Sequence, residues 1–218
     1  TGLRLPQLKV KNSVIRTKPL QGGPESAIWS NGFSIRKRMD GGYTVADGFR
    51  NIVDIVPDSF RYFKDFLPAL GSQWKSLMLS FGGRFLDEVR VQNKWSMDEA
   101  SPFEYCRVLD PKPSFTMQDK ALQNLRRAFP VFEKAEIAQR SAGAIDVTPD
   151  AIPVISGVDD IPGFFIATGF SGHGFGIGPA AGRLAADLVC ARAPVVDPAP
   201  YRFNRFSDGS KIEIISGF

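Results

Sequence analysis

Residues 169–189, GFSGHGFGIGPAAGRLAADLV, carry glycine at positions 169, 172, 174, 176 and 178. The run lies between a short apolar stretch at 164–168 and an apolar-faced helical pattern. A backbone without Cβ atoms takes positive φ freely and lets a ligand come close. A strand that enters a helix through such a turn aims free N–H groups and the positive end of the helix dipole at one place, which suits an anion or an electron-rich ring edge. The same glycine density also builds a tight packing turn. The spacing is not the dinucleotide fingerprint, because a G-x-G-x-x-G begun at Gly172 needs glycine where Ile177 stands, and one begun at Gly174 needs it where Pro179 stands. The following helix is expected to begin at Pro179, with Ala181, Leu184, Ala185, Leu188 and Val189 inward and Arg183 and Asp187 outward.

The rest of the chain divides near residue 135. Before it, residues 8–20 alternate apolar and polar side chains as an edge strand or strand pair, and 27–30 and 33–36 repeat that character. Asp40-Gly41-Gly42 has turn chemistry and leads into a β run at 43–45, so a hairpin is expected. Asp58 reads as the N-cap of a helix with Phe60, Phe63, Phe66 and Leu67 on one face, ended by Pro68. A second helix over 117–129 places Leu122, Leu125 and Phe129 inward and Gln118, Lys120 and Arg126 in water, and Pro130 stops it. Residues 71–115 show no clear period and read as short strands and loops. After 136, short buried strands are expected at 152–155 and 164–168.

With 43% apolar residues and 18 Phe among 218 residues, the chain can build a sizeable core, which excludes a disordered or collagen-like protein. No apolar run is long enough to span a bilayer. Cys106 and Cys190 stand far apart beside a single histidine, so neither a disulfide framework nor a zinc or other metal site is expected, and a reducing, cytoplasmic setting fits. The net charge of +4 is scattered; the cluster Arg36-Lys37-Arg38 reads as a solvated face, and no nucleic-acid partner is expected. The chain opens at Thr1 without methionine and reads as a processed or truncated piece.

TPDAIPVIS at 148–156 and PGFFIATGFSGHGFGIGPAAGRLAADLV at 162–189 closely resemble the C-terminal signature of FAD-dependent amino-acid oxidoreductases, the family of D-amino-acid oxidase and dehydrogenase, glycine oxidase and sarcosine oxidase. The opening LRLPQLKVKNSVIRTKPL, the hairpin IRKRMDGGYTVADG and the tail DPAPYRFNRF extend the likeness more weakly. The resemblance implies an α+β chain: an antiparallel-sheet substrate domain over 1–135, and over 136–218 the C-terminal strand, loop and helix of an FAD-binding α/β domain. It implies that the ADP-binding strand, turn and helix are missing, to be supplied by an N-terminal half or a partner subunit. It also implies an amine or amino-acid substrate, oxidised at its C–N bond by hydride transfer to flavin.

Carried over, Gly172, His173, Gly174, Phe175, Gly176 and Ile177 would lie along the pyrimidine end of the flavin ring, where N–H groups stabilise negative charge. His173 would sit beside the flavin without acting as acid or base, and Asp150 would fix a turn. No general base is assigned. Sarcosine-oxidase-like members place a Lys and a flavin-linking Cys where this chain has Gly176 and Gly143, so FAD should be bound non-covalently. Glycine-oxidase-like members use Arg-Pro where Ile145 and Asp146 stand. Asp146 would either select a cationic substrate group or fix a turn, and a substrate carboxylate would be held by Arg36, Arg38 or Arg50 of the sheet. The alternatives are a non-catalytic fragment or subunit that needs a partner, and a simple anion-binding module.

Overall fold

The computed structural model describes residues 2–92, 94–96, 98–212 and 214. In chain order the elements are β1 (Leu8–Thr17), β2 (Ile28–Ser30), β3 (Phe33–Lys37), β4 (Tyr43–Ala46), β5 (Asn51–Asp54), α1 (Pro57–Arg61), α2 (Phe63–Gln73), β6 (Leu77–Ser80), α3 (Gly83–Arg90), α4 (Pro102–Tyr105), α5 (Phe115–Ala128), β7 (Ile137–Val147), β8 (Val154–Gly157), β9 (Phe165–Thr168) and α6 (Gly174–Val189). They form two compact units gathered from separate stretches. A terminal unit takes Thr1–Lys9, Val56–Trp74 and Ile145–Phe218; a sheet unit takes Val10–Ile55 and Lys75–Ala144. A single cut at residue 135 does not describe this division. Leu3 and Leu5 pack with Val154, Val158 and Phe203, which draws the opening residues to the C-terminal stretch.

In the sheet unit the strands run β2-β3-β4-β1-β5-β6, and β7 also pairs with β1. The hairpin expected around Asp40 is β3–β4, in register from Ser34↔Ala46 to Lys37↔Tyr43, and Gly41 takes φ +81° at its turn. The pairs from β2 to β5 are antiparallel, but β5 and β6 are parallel. Parallel neighbours need a long crossover, and residues 55–76 supply one. Period-two alternation sends Ile15, Phe33, Ile35, Tyr43 and Val45 to one face, where they meet Ala121, Leu122 and Leu125 of α5. The Tyr43 ring meets Phe132 edge-on at 4.8 Å between centroids.

Several expectations change. Ser114 caps α5 by accepting from the Met117 N–H at 3.4 Å. Gln118, expected in water, is 1% exposed, because its amide donates to the carbonyls of Val14 at 2.8 Å and Ser141 at 3.1 Å. The helix expected from Asp58 is two: Val56 is the cap of α1 with Pro57 behind it, and the chain breaks at Tyr62 (φ −104°, ψ 14°) before α2. That break splits the aromatic stripe, so Phe66 is buried while Phe60, Phe63 and Leu67 are exposed. Pro68 does not end the second helix, which continues to Gln73. Residues 71–115 contain α3 and α4 as well as a strand.

In the terminal unit β8 and β9 form an antiparallel pair, Val154↔Thr168 to Gly157↔Phe165. Successive residues of β8 face opposite sides: Val154 joins Val158 and Phe203, and Ile155 joins Ala181 and Leu184 of α6. Helix α6 starts at Gly174 and not at Pro179, which lies inside it; the missing proline N–H removes only one helical bond. Asp187, expected outward, is 1% exposed and accepts from Arg183 Nε at 3.0 Å. Val189, expected inward, is exposed.

Candidate functional site

Strand β9 passes into α6 through a strained turn. Gly169 (φ +73°), Ser171 (φ +49°) and Gly172 (φ +82°) all take left-handed backbone. Glycine is required at 169 on a second ground, since a Cβ there would stand 2.5 Å from Thr148 Cγ2. The turn is tied from several sides. The Gly169 N–H donates to Asp146 Oδ2 at 2.8 Å, Ser171 Oγ donates to the Gly169 carbonyl at 3.2 Å and accepts from the Thr148 N–H at 3.3 Å, and the His173 N–H reaches the Phe170 carbonyl at 2.9 Å.

Because the helix opens at Gly174, the glycine run is itself the first turns of α6, with His173 at the cap. The N–H groups of Gly176 and Ile177 bond back to the His173 carbonyl at 3.1 and 3.3 Å. Those of Gly174 and Phe175 precede any intrahelical acceptor, and neither donates to another group among the described residues. Gly172, His173, Gly176 and Ile177 are exposed, and the Phe175 ring is 100% exposed. A Cβ added at Gly176 or Gly178 would meet nothing within 4 Å, whereas one at Gly174 would stand 3.2 Å from Phe170 Cβ. Open backbone, unsatisfied N–H groups and a bare aromatic ring together fit the edge of a flat, electron-rich ligand such as the flavin ring.

Asp150 fixes its turn by accepting from the Ile152 N–H at 3.1 Å. The residue that sequence reasoning missed is Arg205, buried and forked onto Asp150 at 2.7 and 3.1 Å, with a third bond to the Ile152 carbonyl at 2.7 Å. Asp146 is also engaged: besides Gly169, its Oδ2 accepts from Gln7 Nε2 at 2.9 Å, and that amide reaches Thr168 Oγ1 at 3.2 Å.

The arginine candidates belong to the sheet unit. Arg36 and Arg16 are both cross-strand partners of Thr44, and both are exposed. They line a shallow depression of about 690 Å³ with Lys37, Arg38, Glu25 and Asp40. Arg38 is consumed by the hairpin turn, its guanidinium binding Asp40 and the carbonyls of Thr17 and Tyr43. That pairing, with the Gly42 N–H, holds the Asp40 carboxyl below its ordinary pKa. Lys37 pairs with Glu25. Arg36 is the cation of this set without an ion-pair partner among the described residues. Arg50 follows the Asp47 turn, its N–H held by Asp47 Oδ1 at 2.9 Å.

Residues 1–188 match the family described as FAD dependent oxidoreductase. N-methyl-L-tryptophan oxidase of Salmonella arizonae is 39% identical over 173 residues, 78% of this chain and 40% of that protein. Glycine oxidase of Pseudomonas aeruginosa is 34% identical over 90 residues, 39% of this chain and 25% of that protein. The structure of L-amino acid deaminase from Proteus myxofaciens in complex with anthranilate superposes with a TM-score of 0.89 at 33% identity, over 95% of this chain and 46% of that one. The chain therefore spans less than half the length of each of these relatives. Among the described residues no helix is long and apolar enough to cross a membrane.

Proposed function

This chain belongs to the FAD-dependent oxidoreductase family, and on that premise we propose that it is the part of an amino-acid-oxidase-type enzyme that holds the flavin's pyrimidine edge and contacts the substrate. When bound, FAD supplies the acceptor for the hydride taken from the carbon beside an amine. Gly172, His173, Gly174, Phe175, Gly176 and Ile177 hold the ring edge, and the Gly174 and Phe175 N–H groups stabilise negative charge there. His173 orients the turn beside the ring and moves no proton. With Gly143 and Gly176 where some relatives carry the linking Cys and a Lys, the flavin is held without a covalent bond. Arg36 takes the substrate carboxylate, since among the described residues its guanidinium is the one in the sheet's cationic depression without an ion-pair partner. The dinucleotide-binding half comes from the same reading frame or from a partner subunit.

One observation carries this reading: α6 begins at Gly174, so its unsatisfied N–H groups coincide with an exposed backbone face that has room for a ring. The test is to purify the protein from its complete reading frame and add amines and amino acids without oxygen. Bound flavin that bleaches on addition supports the proposal. A protein that is colourless and stays so after FAD is added refutes it.

A further inference from the structure

We propose that Asp146 is a positioning residue for the glycine turn, acting through Gly169 and braced by Gln7, and that it does not contact substrate. The proposal rests on the reading of the turn as a flavin-edge site. Asp146 lies near the end of β7, and its Oδ2 receives the Gly169 N–H at 2.8 Å and the Gln7 amide at 2.9 Å. A carboxylate that accepts from a backbone N–H makes one of the stronger hydrogen bonds available to a protein. Gln7 is anchored in turn, since the same Nε2 reaches Thr168 Oγ1, one residue before the turn. Ile145, the neighbour of Asp146, places its Cγ2 3.6 Å from where a Gly172 Cβ would stand. The dipeptide Ile145-Asp146 thus supports the turn at both ends, Asp146 at its entry and Ile145 under its exit.

The turn needs that support. Ser171 at φ +49° is strained for a residue with a side chain, and left-handed residues on both sides of Phe170 leave the direction of the chain undetermined by local preference. Such a conformation persists only where its surroundings over-determine it. Asp146 fixes the peptide that enters Gly169, Ser171 and Thr148 fix the Gly169 carbonyl, and from there the path to His173 and the open N–H groups of Gly174 and Phe175 is set. Losing the tether lets those N–H groups drift from the ring edge. A displacement of about 1 Å in such a site lowers turnover as much as a hundredfold.

The experiment uses the full-length holoenzyme with Asp146→Ala, Asp146→Asn and Gln7→Ala. In Asp146→Asn the amide oxygen still accepts from Gly169 and Gln7. Asp146→Ala should show faster amide hydrogen exchange at Gly169–Gly172, a changed visible flavin spectrum and a kcat lowered roughly ten- to hundredfold with KM within about twofold. Asp146→Asn should restore most of all three. Gln7→Ala should fall between, and should add little when combined with Asp146→Ala. A wild-type spectrum and kcat in Asp146→Ala overturns the proposal, whatever happens to its melting temperature. So does a raised KM at preserved kcat in both the Asn and Ala variants, which would mark a substrate contact. If Asp146→Ala does not fold, Gln7→Ala decides on the same three readouts. Hydrogen exchange is also read without flavin: if the protein never takes up flavin but Asp146→Ala still speeds exchange at Gly169–Gly172, the proposed function fails and the tether stands.

Discussion

Gly169 and Gly176 belong to one turn and answer to opposite constraints. At Gly169 both φ and the Thr148 methyl forbid a side chain, so Gly169→Ala should lower the unfolding free energy by about 1–3 kcal/mol in chemical denaturation. At Gly176 the backbone is helical and the added methyl group meets nothing. Gly176→Ala should therefore leave stability unchanged or raise it by up to about 1 kcal/mol. On the proposed flavin site it should weaken flavin binding roughly tenfold, measured by titration of the apoprotein, because the methyl group would enter the space proposed for the ring and overpacking of about 1.4 kcal/mol is a factor of ten. Gly174 is a poorer probe, since its missing Cβ is already crowded by Phe170. Asp40 makes a prediction in pH. Its carboxyl is held below the ordinary value by Arg38 and the Gly42 N–H, so its stabilisation is complete above the unfolded pKa of about 4 and is lost as pH falls toward the lower folded value. Asp40→Asn should lower the melting temperature slightly at neutral pH, and the difference should close in acid. A difference that stays constant with pH would show the pair to be idle.

At the scale of elements, what could be read from sequence was what one local pattern determines. The β3–β4 hairpin was legible because period-two alternation and Asp40-Gly41-Gly42 agree, and α5 was legible because a buried stripe repeats at helical spacing. α3 has no buried residue, so it offered no stripe to read. Pro179 suggested a helix start because proline suits the first helical residue, yet α6 accommodates it inside and begins five residues earlier. Gln118 is the sharpest miss: polar at a helical position, it suggested water, while the carbonyls it serves come from β1 and β7. Gln118→Leu should cost about 1–3 kcal/mol in the denaturation of the protein, because its carbonyl partners and Arg140 Nη1 lose a buried ligand at once. A neutral substitution would mean that those groups find water.

For the molecule as a whole, the glycine turn was legible and its tether was not. Asp146 and Gln7 are 139 residues apart, and a hydrogen bond of that span leaves no trace in local spacing. The chain spans less than half the length of these relatives, and on the proposal that a dinucleotide-binding half lies outside it, these residues by themselves should bind FAD at least a hundredfold more weakly than the protein from its full reading frame, a difference of several kcal/mol from the pyrophosphate site. Flavin fluorescence quenching measures this, and tight stoichiometric binding by these 218 residues would contradict it. The interleaving of the two units also sets a schedule. Leu3 and Leu5 find their partners only when Val154 and Phe203 have been made. At ribosomal speeds of about 5–20 residues per second, the opening residues wait on the order of ten to forty seconds for their neighbours. For that interval the nascent chain carries Leu3 and Leu5 without the packing that later covers them, and a chaperone that meets it then has a target at that stretch.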